Sequence, residues 1–241
     1  MLNKFRKISE ERFECNKDHT LPEMPRAKVP FITALEKFSP CSLILEHKRA
    51  SPSHGAFESL PSLEEVVFSY EKQHAAALSI LTEEKEFLGS LDDLYFVSGI
   101  TKLPLLRKDF LVYPKEVEIA SAYGADAILI IVAMLSDQEI SELLKTAKEY
   151  RCDALVEVHN EEELKRALKF PVELLGINNR NLTTLKTDTA NYLELLKQVP
   201  EDIKVVAESG YDSLNDIARL PSRTTAVLAG TSFLLNLCDQ K

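Results

Sequence analysis

Glycine is scarce in this sequence, seven residues in 241, and none falls in a GxGxxG or GxxxxGK(S/T) pattern. A nucleotide-cradling loop of the usual kind therefore has little support. The four cysteines, at positions 15, 41, 152 and 238, form no CxxC pair and share no metal-ligand spacing with the five scattered histidines. They read as reduced thiols, with no metal and no disulfide expected. Long hydrophobic runs are missing too: the longest, Ala127 to Leu135, has nine residues, too few for a bilayer-spanning helix and suited to a strand buried on both faces. Excess positive charge is also lacking, and a net charge of −9 leaves no broad footprint for nucleic acid or an anionic membrane. Lys4, Arg6 and Lys7 are not followed by an apolar core of signal-peptide length, so a cytoplasmic location is expected.

What is present is the composition of an ordinary globular protein, 45% hydrophobic and 28% charged. Over residues 1–40, Leu2, Phe5 and Ile8 form one helical stripe and Phe31, Leu35 and Phe38 another, separated by Pro22, Pro25 and Pro30. Short apolar runs then alternate with amphipathic stretches of helical period, the pattern of repeated βα units. The runs are Leu43 to Lys48, Ala76 to Leu81, Leu103 to Lys108, Ala127 to Val132, Ala154 to Val158, Leu174 to Asn178, Lys204 to Ala207 and Ala226 to Ala229. Ser136 to Tyr150 and Asn160 to Lys169 are the clearest helices, the first opening with a Ser136/Glu139 capping box. Eight strands in strict alternation predict a single (β/α)8 TIM barrel over 43–241 with an amino-terminal helical extension, all one domain, and a short last helix after Gly230.

Chemistry in a barrel collects at the carboxyl ends of the strands. The first run ends with Glu46 and Lys48 on one face and His47 on the other, by the period of two. The third supplies Lys108, the fifth Glu157, the sixth Asn178 and Arg180, and the seventh Glu208 and Ser209. Each alone reads as a solvated loop residue; together, ammonium and carboxylate groups at one mouth point to acid–base chemistry on a small anion. Ser209-Gly210 and Gly230-Thr231 lie where barrels bind phosphate through backbone amides, or else simply form βα turns. The loop bearing Ser51 and Pro52 either covers the mouth or only connects. Cys152 and His159 read as structural groups, and Phe87 and Phe110 as core or pocket wall.

Five ordered motifs sharpen the picture: Glu46 to Ser53, Ser79 to Phe87, Leu105 to Phe110, Gly176 to Leu182, and Val206 to Gly210. Together they resemble the indole-3-glycerol phosphate synthase family from about residue 30 to 235. The resemblance implies decarboxylating cyclisation of 1-(2-carboxyphenylamino)-1-deoxyribulose 5-phosphate, with release of CO2 and water and no cofactor or metal. It makes Lys108 the general acid at the ketone and Glu157 the carboxylate of the later dehydration. Glu46 and Asn178 would hold sugar hydroxyls, and Lys48 would meet anionic groups or share the acid role. Arg180, Glu208, Ser209, Ser51 and Pro52 fall at substrate-binding positions, Gly210, Gly230 and Thr231 at phosphate-binding positions, and Phe87, Phe110, Leu129 and Leu182 along an apolar wall. The family's amino-terminal extension packs near the mouth, which places residues 1–40 in a lid.

His54, the Leu228-Ala229-Gly230-Thr231 strand and the clipped final helix depart from the family pattern. A phosphoribosylanthranilate isomerase barrel would need a Cys and Asp pair at the mouth, and Cys41 precedes the first strand. A scaffold that had lost activity would have no use for so costly a convergence of charge. The expected working form is a monomer, open to association with neighbouring pathway enzymes.

Overall fold

The computed structural model describes residues 2–16, 20–38, 41–52, 54–181, 184–211, 213–230 and 233. Leu182, Thr231 and the expected last helix lie outside the described residues.

Eight parallel strands close on themselves: β1 (Ser42–His47), β2 (Ala77–Leu81), β3 (Leu105–Lys108), β4 (Ala127–Ile131), β5 (Asp153–Val158), β6 (Leu174–Asn178), β7 (Lys204–Glu208) and β8 (Ala226–Ala229). Each pairs with the next in sequence, and β8 returns to β1 with Ser42 opposite Ala226. All eight predicted strands are present with ends shifted by at most two residues. The largest shift, Leu103 to Leu105 at the start of β3, follows from Pro104, which has no N–H to give a ladder. The strands β2, β4, β6 and β8 are buried along their whole length, as expected where side chains fill the barrel on one face and meet the helices on the other.

Between the strands, described helices are α3 (Leu63–Lys72), α4 (Leu91–Ile100), α5 (Pro114–Ala122), α6 (Asp137–Glu149), α7 (Glu161–Ala167), α8 (Ala190–Leu196) and α9 (Leu214–Ala218), preceded by α1 (Leu2–Asn16) and α2 (Phe31–Leu35). The predicted Ser136/Glu139 capping box is formed, and Asn160 caps α7 by accepting from the Glu163 N–H. These caps satisfy amides that an opening turn leaves without partners. One expectation differs. The stripe Phe31–Leu35–Phe38 ends early, because α2 stops at Leu35 and Phe38 is left 44% exposed.

The helix α1 is docked by its predicted stripe, with Phe5 and Ile8 buried. Farther along the same face Arg12 donates to Asp109 and Glu116, both at 2.7 Å. Arg107, pointing outward from β3 and buried, adds a bond to Asp109 at 2.9 Å and another to the Glu116 carbonyl. Burial opposes ionisation of Asp109, yet the two guanidiniums prevail and hold its carboxyl well below the usual range. Arg6 binds Glu139 at the start of α6. The helix is thereby fixed across the carboxyl end of the barrel, where the sequence placed a lid. Among the described residues no helix is long and apolar enough to cross a membrane.

Candidate active site

The strand ends place Glu46, Lys108, Glu157, Asn178 and Glu208 around one cavity at that end of the barrel, with Lys48 just beyond β1. Alternation explains which side chains enter it. On β1, Glu46 turns inward while His47 is buried on the opposite face; on β3, Lys108 turns inward and Arg107 outward, where it meets Asp109, just beyond the strand, in the α1 network. Glu46 and Lys48, expected on one face, form an ion pair at 2.6 Å, and Ser79 donates to the other Glu46 oxygen at 3.4 Å. Burial works against the Glu46 carboxylate, but Lys48 and Lys108 outweigh it and lower its pKa.

Lys108 is the electrostatic centre. Its Nζ lies 3.4 Å from Glu157 Oε2 and 3.7 Å from Glu208 Oε2. Burial disfavours the ammonium, but Glu157, Glu208 and Glu46 together hold it protonated far above neutral pH. The two carboxyls then part company. Burial raises both; Lys108 and His159 outweigh it and lower the Glu157 pKa, whereas burial and the neighbouring Glu157 charge raise that of Glu208 well above the usual carboxylate range. Titratable groups driven apart in this way mark acid and base assignments.

A small residue makes the arrangement possible. Gly176 on β6 faces the barrel interior, where a Cβ would fall 2.1 Å from Glu208 Oε1. Gly176→Ala is expected to leave the barrel folded while pushing the Glu208 carboxyl off its place beside Lys108. Turnover should fall by about 10-fold, since small misplacements are costly in a preorganised site; unchanged steady-state kinetics would show that this carboxyl has no part in the reaction.

The apolar wall is present as expected. Phe87, Phe110 and Leu129 line the cavity, as do Ser51 and Pro52 from the loop after β1. Arg180 and Ser209 also line it, and Asn178 is held by accepting from the Arg180 N–H at 3.0 Å. Ser209 has a left-handed backbone, φ 62°, unusual for a non-glycine residue and of the kind that gathers at functional turns. The two described glycines of the expected phosphate site differ. A Cβ on Gly230 would lie 3.1 Å from Glu46 and 3.2 Å from Lys48 Nζ, which puts Gly230 at the mouth. Gly210, at φ +88°, sits instead beside Thr187 and Thr189 and is not among the cavity-lining residues.

Three participants escaped the sequence reading. Phe5 of α1 lines the cavity, its ring stacked on Phe110 at 4.0 Å between centroids. Glu83 is buried and accepts the N–H groups of Lys85, Glu86 and Phe87, so it shapes the loop that presents Phe87. His159, read as structural, has Nε2 3.1 Å from Glu157 Oε1. For Phe5 and Arg12 a signal existed: an arginine prolonging an apolar helical stripe implies a buried anion opposite it.

A closed parallel barrel whose mouth joins ion-paired lysine and carboxylates to an aromatic wall defines an acid–base enzyme of the (β/α)8 class. The sequence matches the family model for indole-3-glycerol phosphate synthase over residues 3–240. The relative named indole-3-glycerol phosphate synthase in Endomicrobium trichonymphae is 39% identical over 93% of this chain and 87% of its own length. Its namesake in Koribacter versatilis is 43% identical over 80% and 75% respectively. Among solved structures, the N-acetylmannosamine-6-phosphate 2-epimerase from Clostridium perfringens superposes with a TM-score of 0.65 at 14% identity, covering 90% of this chain and 96% of its own, a likeness of fold alone. The chain belongs to the indole-3-glycerol phosphate synthase family.

Proposed function

We propose that the mouth residues divide the family's ring closure between an ammonium donor at Lys108 and a carboxylate acceptor at Glu157. The chain is a decarboxylating lyase of tryptophan biosynthesis, acting on 1-(2-carboxyphenylamino)-1-deoxyribulose 5-phosphate. The observation that carries the division of roles is the Lys108–Glu157–Glu208 cluster, one cation 3.4 Å from the first carboxyl and 3.7 Å from the second, whose pKa values are driven in opposite directions.

The aromatic carbon bearing the carboxylate attacks the ketone carbon. As that bond forms, charge develops on the ketone oxygen, and Lys108 donates a proton to it; a preorganised ammonium in a site shielded from water stabilises such charge most effectively. Loss of CO2 returns the electron pair to the ring. The new hydroxyl then takes a proton from Lys48 and leaves as water, while Glu157 takes the proton of the adjacent carbon and that C–H electron pair becomes the ring double bond. Glu46 and Asn178 hold the sugar hydroxyls, and Lys48 meets substrate anions while neutralising Glu46. Phe87, Phe110 and Leu129 flank the anthranilate ring, and pressing the ring toward the ketone lowers the entropic part of the barrier. Arg180, Ser51, Pro52, Glu208 and Ser209 complete the substrate contacts, and Gly230, beside Glu46 and Lys48 at the mouth, offers backbone to the phosphate.

The proposed working unit is one domain and a single chain, supported by residues from α1 to β8 lining one cavity. A cytoplasmic setting suits its free Cys41 and Cys152. Purified protein supplied with the substrate should give the fluorescence of an indole product together with one equivalent of CO2. Tight substrate binding without either would overturn catalysis in favour of a binding role.

A further inference from the structure

His159 follows β5 directly and is almost enclosed, its side chain 8% exposed. It does not line the cavity, yet it is clamped from two sides. Glu163, on the first turn of α7, accepts from the His159 backbone N–H at 2.8 Å and lies 2.9 Å from its Nδ1. With Nδ1 held by Glu163, the opposite ring nitrogen lies 3.1 Å from Glu157 Oε1, an ion-pair contact without hydrogen-bond alignment. The other Glu157 oxygen, Oε2, is the one turned to Lys108. Glu163 is itself held, accepting from Asn160 Nδ2 at 2.6 Å, and Asn191 of α8 donates to the His159 carbonyl at 3.1 Å.

We propose that His159, clamped by Glu163, is a positioning residue that anchors Glu157 Oε1 and thereby reserves Oε2 for proton transfer beside Lys108. The inference rests on the roles given to Glu157 and Lys108 above and deepens them. A carboxylate at the end of a strand can rotate about its last bond, and a histidine fixed through its second nitrogen removes that freedom, as outer partners do for ligands in metal sites. The charge acts in the same direction. Burial disfavours the imidazolium, but Glu157 and Glu163 outweigh it and raise its pKa to about 10. Through neutral pH it is therefore a second cation behind Glu157. The charged and titratable groups facing this imidazole are Glu157 from β5 and Glu163 from α7, with Glu208 of β7 and Lys108 of β3 on the far side of Glu157.

The test compares full-length wild type, His159→Gln and Glu163→Gln by steady-state kinetics across pH. His159→Gln should lower kcat by about 10-fold or more with KM within about threefold, the range seen when outer partners of reacting groups are removed. Without the cation, Glu157 takes up a proton at higher pH, so the acid limb of kcat should move upward by about one pH unit. Glu163→Gln keeps the shape of the clamp while removing its charge and should move both quantities the same way by smaller amounts; it decides the matter if His159→Gln does not fold. A purely structural role would lower the melting temperature and leave the acid limb where it is, and that result, or a change confined to KM, overturns the proposal. Absence of turnover in the wild type would instead overturn the assigned reaction, so the two failures are distinguishable.

Discussion

Lys108→Ala is expected to keep the barrel and lose turnover by on the order of 10²-fold or more, the usual cost of removing a positioned acid. The side chain ends 3.4 Å from Glu157 Oε2 and 3.7 Å from Glu208 Oε2, so truncation removes the proton donor and strips two buried carboxyls of their shared cation. Breaking a buried ion pair commonly costs several kcal/mol because a charge is left uncompensated. Here the damage to stability is limited, since His159 stays beside Glu157 and burial already raises the Glu208 pKa well above the usual range. Circular dichroism should therefore show native helix content, while product formation under saturating substrate falls. A mutant turning over within about twofold of wild type would remove Lys108 from the acid role.

Glu157→Gln should give the second large effect, again on the order of 10²-fold in kcat, but with a different signature. Gln occupies nearly the same volume and still hydrogen-bonds, so the cavity keeps its shape. It cannot take a proton from carbon. Ring closure and decarboxylation, assigned to Lys108, should proceed relatively well, while loss of water lags. Rapid-quench sampling during a single turnover should then reveal a cyclised, decarboxylated species that still carries its hydroxyl. If every step slows equally and nothing accumulates, Glu157 serves the whole pathway electrostatically and is not the base of the dehydration.

The barrel was legible because a parallel strand buried on both faces must be a continuous apolar run, and the runs recur with helical stretches between them. Strand ends were legible for the same reason: apolar residues stop where the chain leaves the barrel, which is where Glu46, Lys108, Glu157 and Asn178 stand. Contacts between distant segments were not. Arg12 meets Asp109 across 97 residues of sequence, and no local pattern says which acid it will find. His159 looks like a turn residue until β5 and α7 bring Glu157 and Glu163 to its two nitrogens. Phe38 went wrong for the opposite reason, since a three-residue spacing suggested another helical turn where α2 had already ended.

Phe5, near the start of the chain, and Leu228, on the last barrel strand, border the same cavity. Synthesis runs from one end to the other, so a nascent polypeptide possesses no complete reaction chamber until β8 has left the ribosome. An unfinished copy cannot begin the chemistry and strand a half-made product. The same layout makes α1 part of the working machinery, so removing Phe5 opens the wall of the chamber as surely as damage to a barrel strand.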